Sequence, residues 1–294
     1  MIMKKTLLFT IIFGLLFTSC NNSDKVQKIN ELTPEQGEAN IEGVKNFQFD
    51  GFELLALQDA QTTMPAELFK DDVSTAQLAE LMPSGAAEAS VNVFILKKEG
   101  KNILFDAGNG STRGGQLLDR LTASNMKPEN IDFVFITHFH PDHIGGMIKD
   151  DKPTFPNAEI YFSKAEKDFS LSGNSDKNSL PANMIEVYEN RCHTYNFGDT
   201  LACGVVALEA VGHTPGHTVF EIGNVLIVGD LLHAKSIQIE HPEYCPKYDM
   251  DKKKSVETRM RFYKYAGENH KFVAGMHLPF PGVIDDFSTV WKEK

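Results

Sequence analysis

Cysteine is scarce in this chain: there are four in 294 residues, and no two stand at CxxC spacing. A thiolate-built metal site is therefore excluded, and any metal must be held by imidazole and carboxylate. Cys192 and Cys203 are free to pair in an oxidising compartment, which the sequence leaves open. Basic runs are also missing from the mature chain, and the formal net charge is −11. That excludes nucleic acid as a partner, because a phosphate backbone is gripped by a basic footprint. No heptad or solenoid period recurs. The apolar segment Leu7 to Phe17 has eleven residues. That is short of the roughly 20 a membrane-spanning helix needs.

The N-terminus carries an address instead. Lys4 and Lys5 precede the apolar segment, which closes in Leu16-Phe17-Thr18-Ser19-Cys20. Small residues before a cysteine resemble a bacterial lipoprotein signal, whose cysteine is acylated and becomes the mature N-terminus. An ordinary secretory peptide is the alternative. Residues 1–19 are thus expected to be signal peptide, 20–45 a polar linker with Pro34 and Gly37, and 46–294 the folded domain. Acyl chains bury about 0.8 kcal/mol per CH₂. The expected location is therefore the bacterial cell envelope, exported and lipid-anchored in the periplasm or outer membrane.

Apolar alternation predicts strands at Phe47 to Leu57, Val91 to Leu96 and Asn102 to Phe105, the last two joined by a turn over Lys97 to Lys101. Ile131 to Ile136, Ala158 to Phe162, Gly204 to Val211, Thr218 to Ile222, Val225 to Val228 and Phe272 to Ala274 read as further strands. Helical spacing marks Ala76 to Leu81, Gln116 to Ala123 and Lys253 to Ala266. Ser163 is a helix N-cap with Glu166 at the capping-box position. Leu171 to Pro181 is rich in Ser, Asn and Gly and reads as a surface loop.

The histidines are concentrated where strands end. Thr137-His138-Phe139-His140-Pro141-Asp142-His143 follows an apolar strand directly, and Gly145-Gly146 is expected to turn the chain tightly. Three imidazoles and a carboxylate at this spacing suit a borderline divalent cation. Apolar strands also deliver His217, Asp230 and His277. His193, His213, His233, His241 and His270 are left over and read as surface or supporting residues. Asp106 opens a glycine-rich turn and either orients the histidine loop or simply starts that turn.

Taken together, His138-x-His140-x-Asp142-His143, Gly212 to Thr218, Gly229-Asp230-Leu231 and His277-Leu278-Pro279 resemble the metallo-β-lactamase superfamily. The likeness extends to its methyl parathion hydrolases and acyl-homoserine lactonases. It runs from about Phe52 to Val283, with Lys254-Ser255-Val256 and Arg259 also matching. The resemblance implies an α/β fold, the αββα metallo-β-lactamase sandwich. It implies two divalent metal ions, Zn²⁺ by default, with Mn, Co or Fe admitted by the same donors. His138, His140 and His217 would hold one ion, and Asp142, His143 and His277 the other, with Asp230 bridging. The implied activity is hydrolysis of a small-molecule substrate (an ester, lactone or phosphotriester), with Asp142 carrying a proton to the leaving group. A β-lactamase is the alternative enzyme, and a metal-binding scaffold on the envelope the non-enzymatic one. One departure is visible. Lactonases commonly carry Tyr three residues after the bridging Asp to bond the substrate carbonyl, and here that place is His233. It is expected at the pocket rim, beside Asp142 as a catalytic residue that donates the same hydrogen bond, or else as a residue that only lines the pocket.

Overall fold

The computed structural model describes residues 30–31, 41–172 and 179–292. The expected signal peptide, Cys20 and most of the expected linker lie outside them. Within the linker stretch, Asn30–Glu31 pair antiparallel with Phe47 and Gln48. Among the described residues no helix is long and apolar enough to cross a membrane.

Period-2 alternation decides the layers. In Phe52–Pro65 and Ala86–Lys98, Leu54, Ala56, Phe94 and Leu96 face one side of the sheet and Leu55, Leu57, Val93 and Ile95 the other. Both faces are buried, so this sheet is covered on both sides. It has eight strands, ordered Asn30–Glu31, Val44–Phe49, Phe52–Pro65, Ala86–Lys98, Lys101–Phe105, Phe133–Phe135, Glu159–Ser163 and Cys192–Tyr195. The first pairings are antiparallel and the last three parallel. A five-stranded sheet runs Val206–Glu209, Thr218–Ile222, Val225–Ile227, Phe272–Ala274 and Val283–Ile284.

Phenylalanines seal the space between the sheets. Phe47 meets Phe272 edge-on at 5.2 Å, and Phe105, Phe135 and Phe220 form a mutual cluster. Each such ring buried contributes about 1.5–3 kcal/mol. The outer face of the large sheet packs on Leu117–Ala123 and Leu180–Tyr188 through Leu121, Met184 and Tyr188. The small sheet packs on Lys252–Glu268 through Phe262, Tyr263 and Ala266. Helix, sheet, sheet, helix: this is the expected αββα sandwich.

Several boundaries differ from expectation for local reasons. Phe47 to Leu57 is not one strand, because Asp50-Gly51 breaks it, with Gly51 at φ 82°. The turn between the next two strands is only Glu99-Gly100, both at positive φ. Gly204 lies in a 3₁₀ turn, so that strand is Val206–Glu209. Leu180 and Pro181 begin a helix rather than end a loop. Cys192, Cys203 and Cys245 are all free.

Candidate metal centre

The strand Phe133–Phe135 ends beside Lys101–Phe105, so Thr137 and Asp106 leave the sheet side by side. Asp106 accepts from Thr137 N and Thr137 Oγ1, both at 2.8 Å, and its Oδ2 stands 2.7 Å from His143 Nδ1. It is buried at φ 59°, a costly conformation that these three contacts hold. Asp106 therefore orients the histidine loop. Its carboxylate fixes the His143 ring and turns Nε2 inward.

Gly145 and Gly146 serve close approach rather than a tight turn. Gly145 has φ −61°, and a Cβ at either position would strike the carbonyl of Asn109 or Ala107. The glycines let the loop lie against the Ala107–Asn109 turn, where Ala107 N donates to His143 O and Gly146 N to Gly108 O.

His138 and His140 flank Phe139, whose N–H donates to Glu166 Oε1 at 2.9 Å. Glu166 does not close the expected capping box. Ser163 Oγ caps the Glu166 N–H, but the carboxylate turns away and accepts from Thr214 Oγ1 (2.7 Å) and Gly216 N (3.1 Å). Burial pushes the Glu166 carboxyl above its ordinary range, the three donors offset that only in part, and together they tie the two histidine-bearing loops to one another.

The second of those loops corrects the ligand set. His217 uses both ring nitrogens on backbone: Nδ1 meets Ala210 O at 3.0 Å and Nε2 accepts from Asp230 N at 2.9 Å. Gly229, at φ 53°, allows this, since a Cβ there would stand 2.5 Å from that Nε2. His217 is thus a scaffold residue. His213, which the sequence left over, takes its place: its Nε2 lies 3.2 Å from His138 Nε2, 3.0 Å from His140 Nδ1 and 3.2 Å from Asp230 Oδ2. His213 Nδ1 is 2.9 Å from Asp249, whose other oxygen accepts from Arg259 at 3.0 Å. Arg259 also donates to Leu231 O and Pro242 O, so the long helix braces the Asp230 loop and the His213 carboxylate at once.

Asp142, His143 and His277 form the other side. His277 Nε2 lies 3.4 Å from Asp142 Oδ2 and 3.2 Å from Asp230 Oδ1, and its Nδ1 faces Ser90 O at 3.2 Å. Two groups of potential ligand atoms result, each within 4.8 Å: His138, His140, His213 and Asp230, then Asp142, His143 and His277. Asp230 touches both, with Oδ2 toward the first and Oδ1 toward the second.

The fit to divalent metals rests on unmet bonding. His143 Nε2 and Asp230 Oδ1 are buried 3.0 Å apart, yet neither has an acceptable hydrogen bond. Buried polar atoms of this kind need a partner, and imidazole nitrogens with carboxylates suit a borderline cation.

Charge is arranged accordingly. Burial together with the neighbouring imidazoles pushes His140 down to about 4 and His138 well below its ordinary value. Burial opposes charge on His213 and His277 too, but Asp230 with Asp249 or Asp142 prevails and raises them to about 9 and about 10. Asp230, against its burial, is held well below the usual carboxylate range by His143 and His277. Metal ligation requires neutral imidazole, so loading at pH 7 must expel those protons. His143 is likewise raised well above its ordinary value by Asp230 and Asp106, against its burial. We therefore expect calorimetry in buffers of differing ionisation enthalpy to register release of about three protons, with apparent affinity rising as pH rises. Release of none would contradict this charge pattern.

The centre floors a cleft of about 640 Å³, walled by Met64, Pro65, Leu68 and Tyr248. His233 was expected at its rim. Instead it is buried against the floor, Nε2 at 3.1 Å from Asp230 Oδ2 and its ring stacked on His277 at 5.2 Å. Asp230, His233 and His277 also lie close enough to share an ion. The sequence assigns no site role to His213, Asp249, Glu166 or Tyr248. Only His213 carried a signal, as the first of two histidines four apart.

Comparison with known proteins agrees with this fold. The Metallo-beta-lactamase superfamily model matches residues 87–149. The crystal structure of the hydrolase AbOPH in the beta lactamase superfamily superposes with TM-score 0.76 at 31% identity, over 83% of this chain and 93% of that one. AidC, a dizinc quorum-quenching lactonase solved with a product, superposes with TM-score 0.75 at 28% identity, over 82% and 92%. The chain spans only 13% to 61% of the curated relatives matched first. Ribonuclease Z of Nanoarchaeum equitans, for instance, is 48% identical over 48 residues, 16% of this chain and 13% of that protein. The chain belongs to the metallo-beta-lactamase superfamily and has the fold of that superfamily's metal-dependent hydrolases.

Proposed function

We propose that this protein is a hydrolase holding two divalent ions, Zn²⁺ by default, and acting on small esters, lactones or phosphotriesters. The observation that carries the reading is the shared carboxylate: Asp230 presents one oxygen to each of two donor groups at the floor of an open cleft. AbOPH, described as a hydrolase, and AidC, described as a dizinc lactonase, support it. Ions bound there would supply Lewis acidity and an activated water. His138, His140 and His213 would hold one, and Asp142, His143 and His277 the other.

The remaining steps belong to the chain. Asp142 is partly exposed and lines the cleft, so its Oδ2 can take a proton and pass it to a departing oxygen. Met64, Pro65 and Leu68 exclude water from one flank. His233 lines the cleft floor with Nε2 against Asp230 Oδ2, and once an ion takes up that carboxylate oxygen its N–H would be free to donate to the oxygen that gains charge. His233→Ala should lower kcat by about 10²-fold with KM little changed. A change confined to KM would make His233 a wall residue. The decisive assay sets metal-loaded protein against ester, lactone, phosphotriester and β-lactam panels. Turnover of β-lactams alone would overturn the reading.

We further propose that the chain works at the envelope, anchored through Cys20. The motivation is the short apolar segment ending in Thr18-Ser19-Cys20. Cys20→Ala should move the protein from the membrane to the soluble fraction, and unchanged fractionation and migration would rule the anchor out.

A further inference from the structure

Of the five arginines, four have their guanidinium engaged. Arg120 donates to Glu42 O and Gln116, Arg191 to Pro156 O, Arg259 to Asp249, and Arg261 to Glu209 O. Among the five arginines, all of them described, Arg113 alone has no hydrogen bond, ion pair or ring contact from its side chain; only its backbone N–H is used, donating to Gly110 O.

Its placement is specific. Arg113 ends the one-turn 3₁₀ helix Ser111–Arg113, exposed, and among the described residues is the only Lys or Arg lining the cleft above Asp230 and His277. With Asn109 it also lines an adjoining cavity of about 550 Å³, so it stands where the two meet. The backbone beneath it is fastened. The buried Asp59 carboxylate accepts from Asn109 N at 2.8 Å and Leu117 N at 2.9 Å, and Gly115 N closes the turn on Gly110 O. A Cβ at Gly110 would strike Gly145 O, so this turn is pressed against the histidine loop. The guanidinium therefore moves on its own side chain, over a fixed base.

Charge gives the direction. The adjoining cavity is lined by Asp150, Asp151 and Glu186, none of which pairs with Arg113. An anion approaching from that side meets carboxylates, whereas one lying along the metal cleft meets the guanidinium. An unspent planar fork matches a carboxylate with two parallel hydrogen bonds. The cleft's volume also falls within the range that holds a whole small ligand, leaving room beyond the scissile bond.

We propose that Arg113 receives a carboxylate that the substrate carries away from its scissile bond. The substrate class is thereby an ester or lactone with a free acid on its acyl part, which rests on the hydrolase reading above and narrows it.

Two esters of equal acyl length test this: mono-4-nitrophenyl adipate and 4-nitrophenyl hexanoate, with wild-type, Arg113→Ala and Arg113→Lys proteins loaded with Zn²⁺. The ratio of kcat/KM, adipate over hexanoate, should fall about 30-fold in Arg113→Ala. It should be partly restored in Arg113→Lys, and in the wild type it should decline as NaCl is raised. A ratio that Arg113→Ala leaves within about twofold overturns the proposal. If wild type turns over neither ester, the ester reading fails, and calorimetric binding of adipate then decides the Arg113 question. Binding that wild type shows and Arg113→Ala loses upholds the contact, while equal or absent binding in both overturns it.

Discussion

Asp230→Asn should abolish most of the activity, with kcat/KM falling by on the order of 10⁴-fold. The amide keeps the shape of the side chain and removes its charge. That charge faces His138, His143, His213, His233 and His277 at between 3.0 and 3.7 Å, with one oxygen turned toward each group of donors. With Asn, one side of the centre meets an NH₂ group, which ligates no cation, and both groups of donors lose their common anion. Metal content should therefore drop at both positions rather than at one. Wild-type activity in a metal-depleted Asp230→Asn protein would break the link between this carboxylate and the chemistry.

His213→Ala and His217→Ala should fail in opposite ways. Removing His213 takes away a donor whose Nε2 converges with those of His138 and His140, so metal affinity should fall by at least about 10²-fold, and activity with it. The metal-free protein should lose less stability than His217→Ala does, because only Asp249 Oδ1 loses its partner and Arg259 still holds that carboxylate. Removing His217 instead strands the Ala210 carbonyl and the Asp230 N–H in a buried site. Each stranded group costs about 1–3 kcal/mol, so the protein should lose several kcal/mol of stability. The fraction that remains folded should still bind its ions. Metal loss in His217→Ala with full loading in His213→Ala would restore the assignment that the sequence suggested.

The reason that assignment failed says what a sequence can carry. The strands and the His138 to His143 loop are local patterns, and alternation with a ligand-like spacing made them readable. Gly212-His213-Thr214-Pro215-Gly216-His217 offers two histidines four apart, and proximity to the following strand favoured the wrong one. What separates them is distant in the chain: Asp249 behind His213, and the Asp230 N–H in front of His217. Glu166 misled in the same way. Its position three after Ser163 fits a cap, but stronger donors from Phe139, Thr214 and Gly216 reach it across the fold. Gly145-Gly146 reads as a turn because glycine permits one, whereas the need is room for the carbonyls of the Ala107–Asn109 turn. By contrast, Asp50-Gly51 is a local turn signal carried inside an apolar run.

Two groups of donors sharing Asp230 is the central claim, and metal stoichiometry addresses it most directly. Protein expressed with supplemented zinc, desalted, and analysed for metal against amino-acid concentration should contain two equivalents per chain, and a competing chelator should withdraw them in two steps. Fewer than one equivalent, under conditions where the protein is folded, would contradict the account.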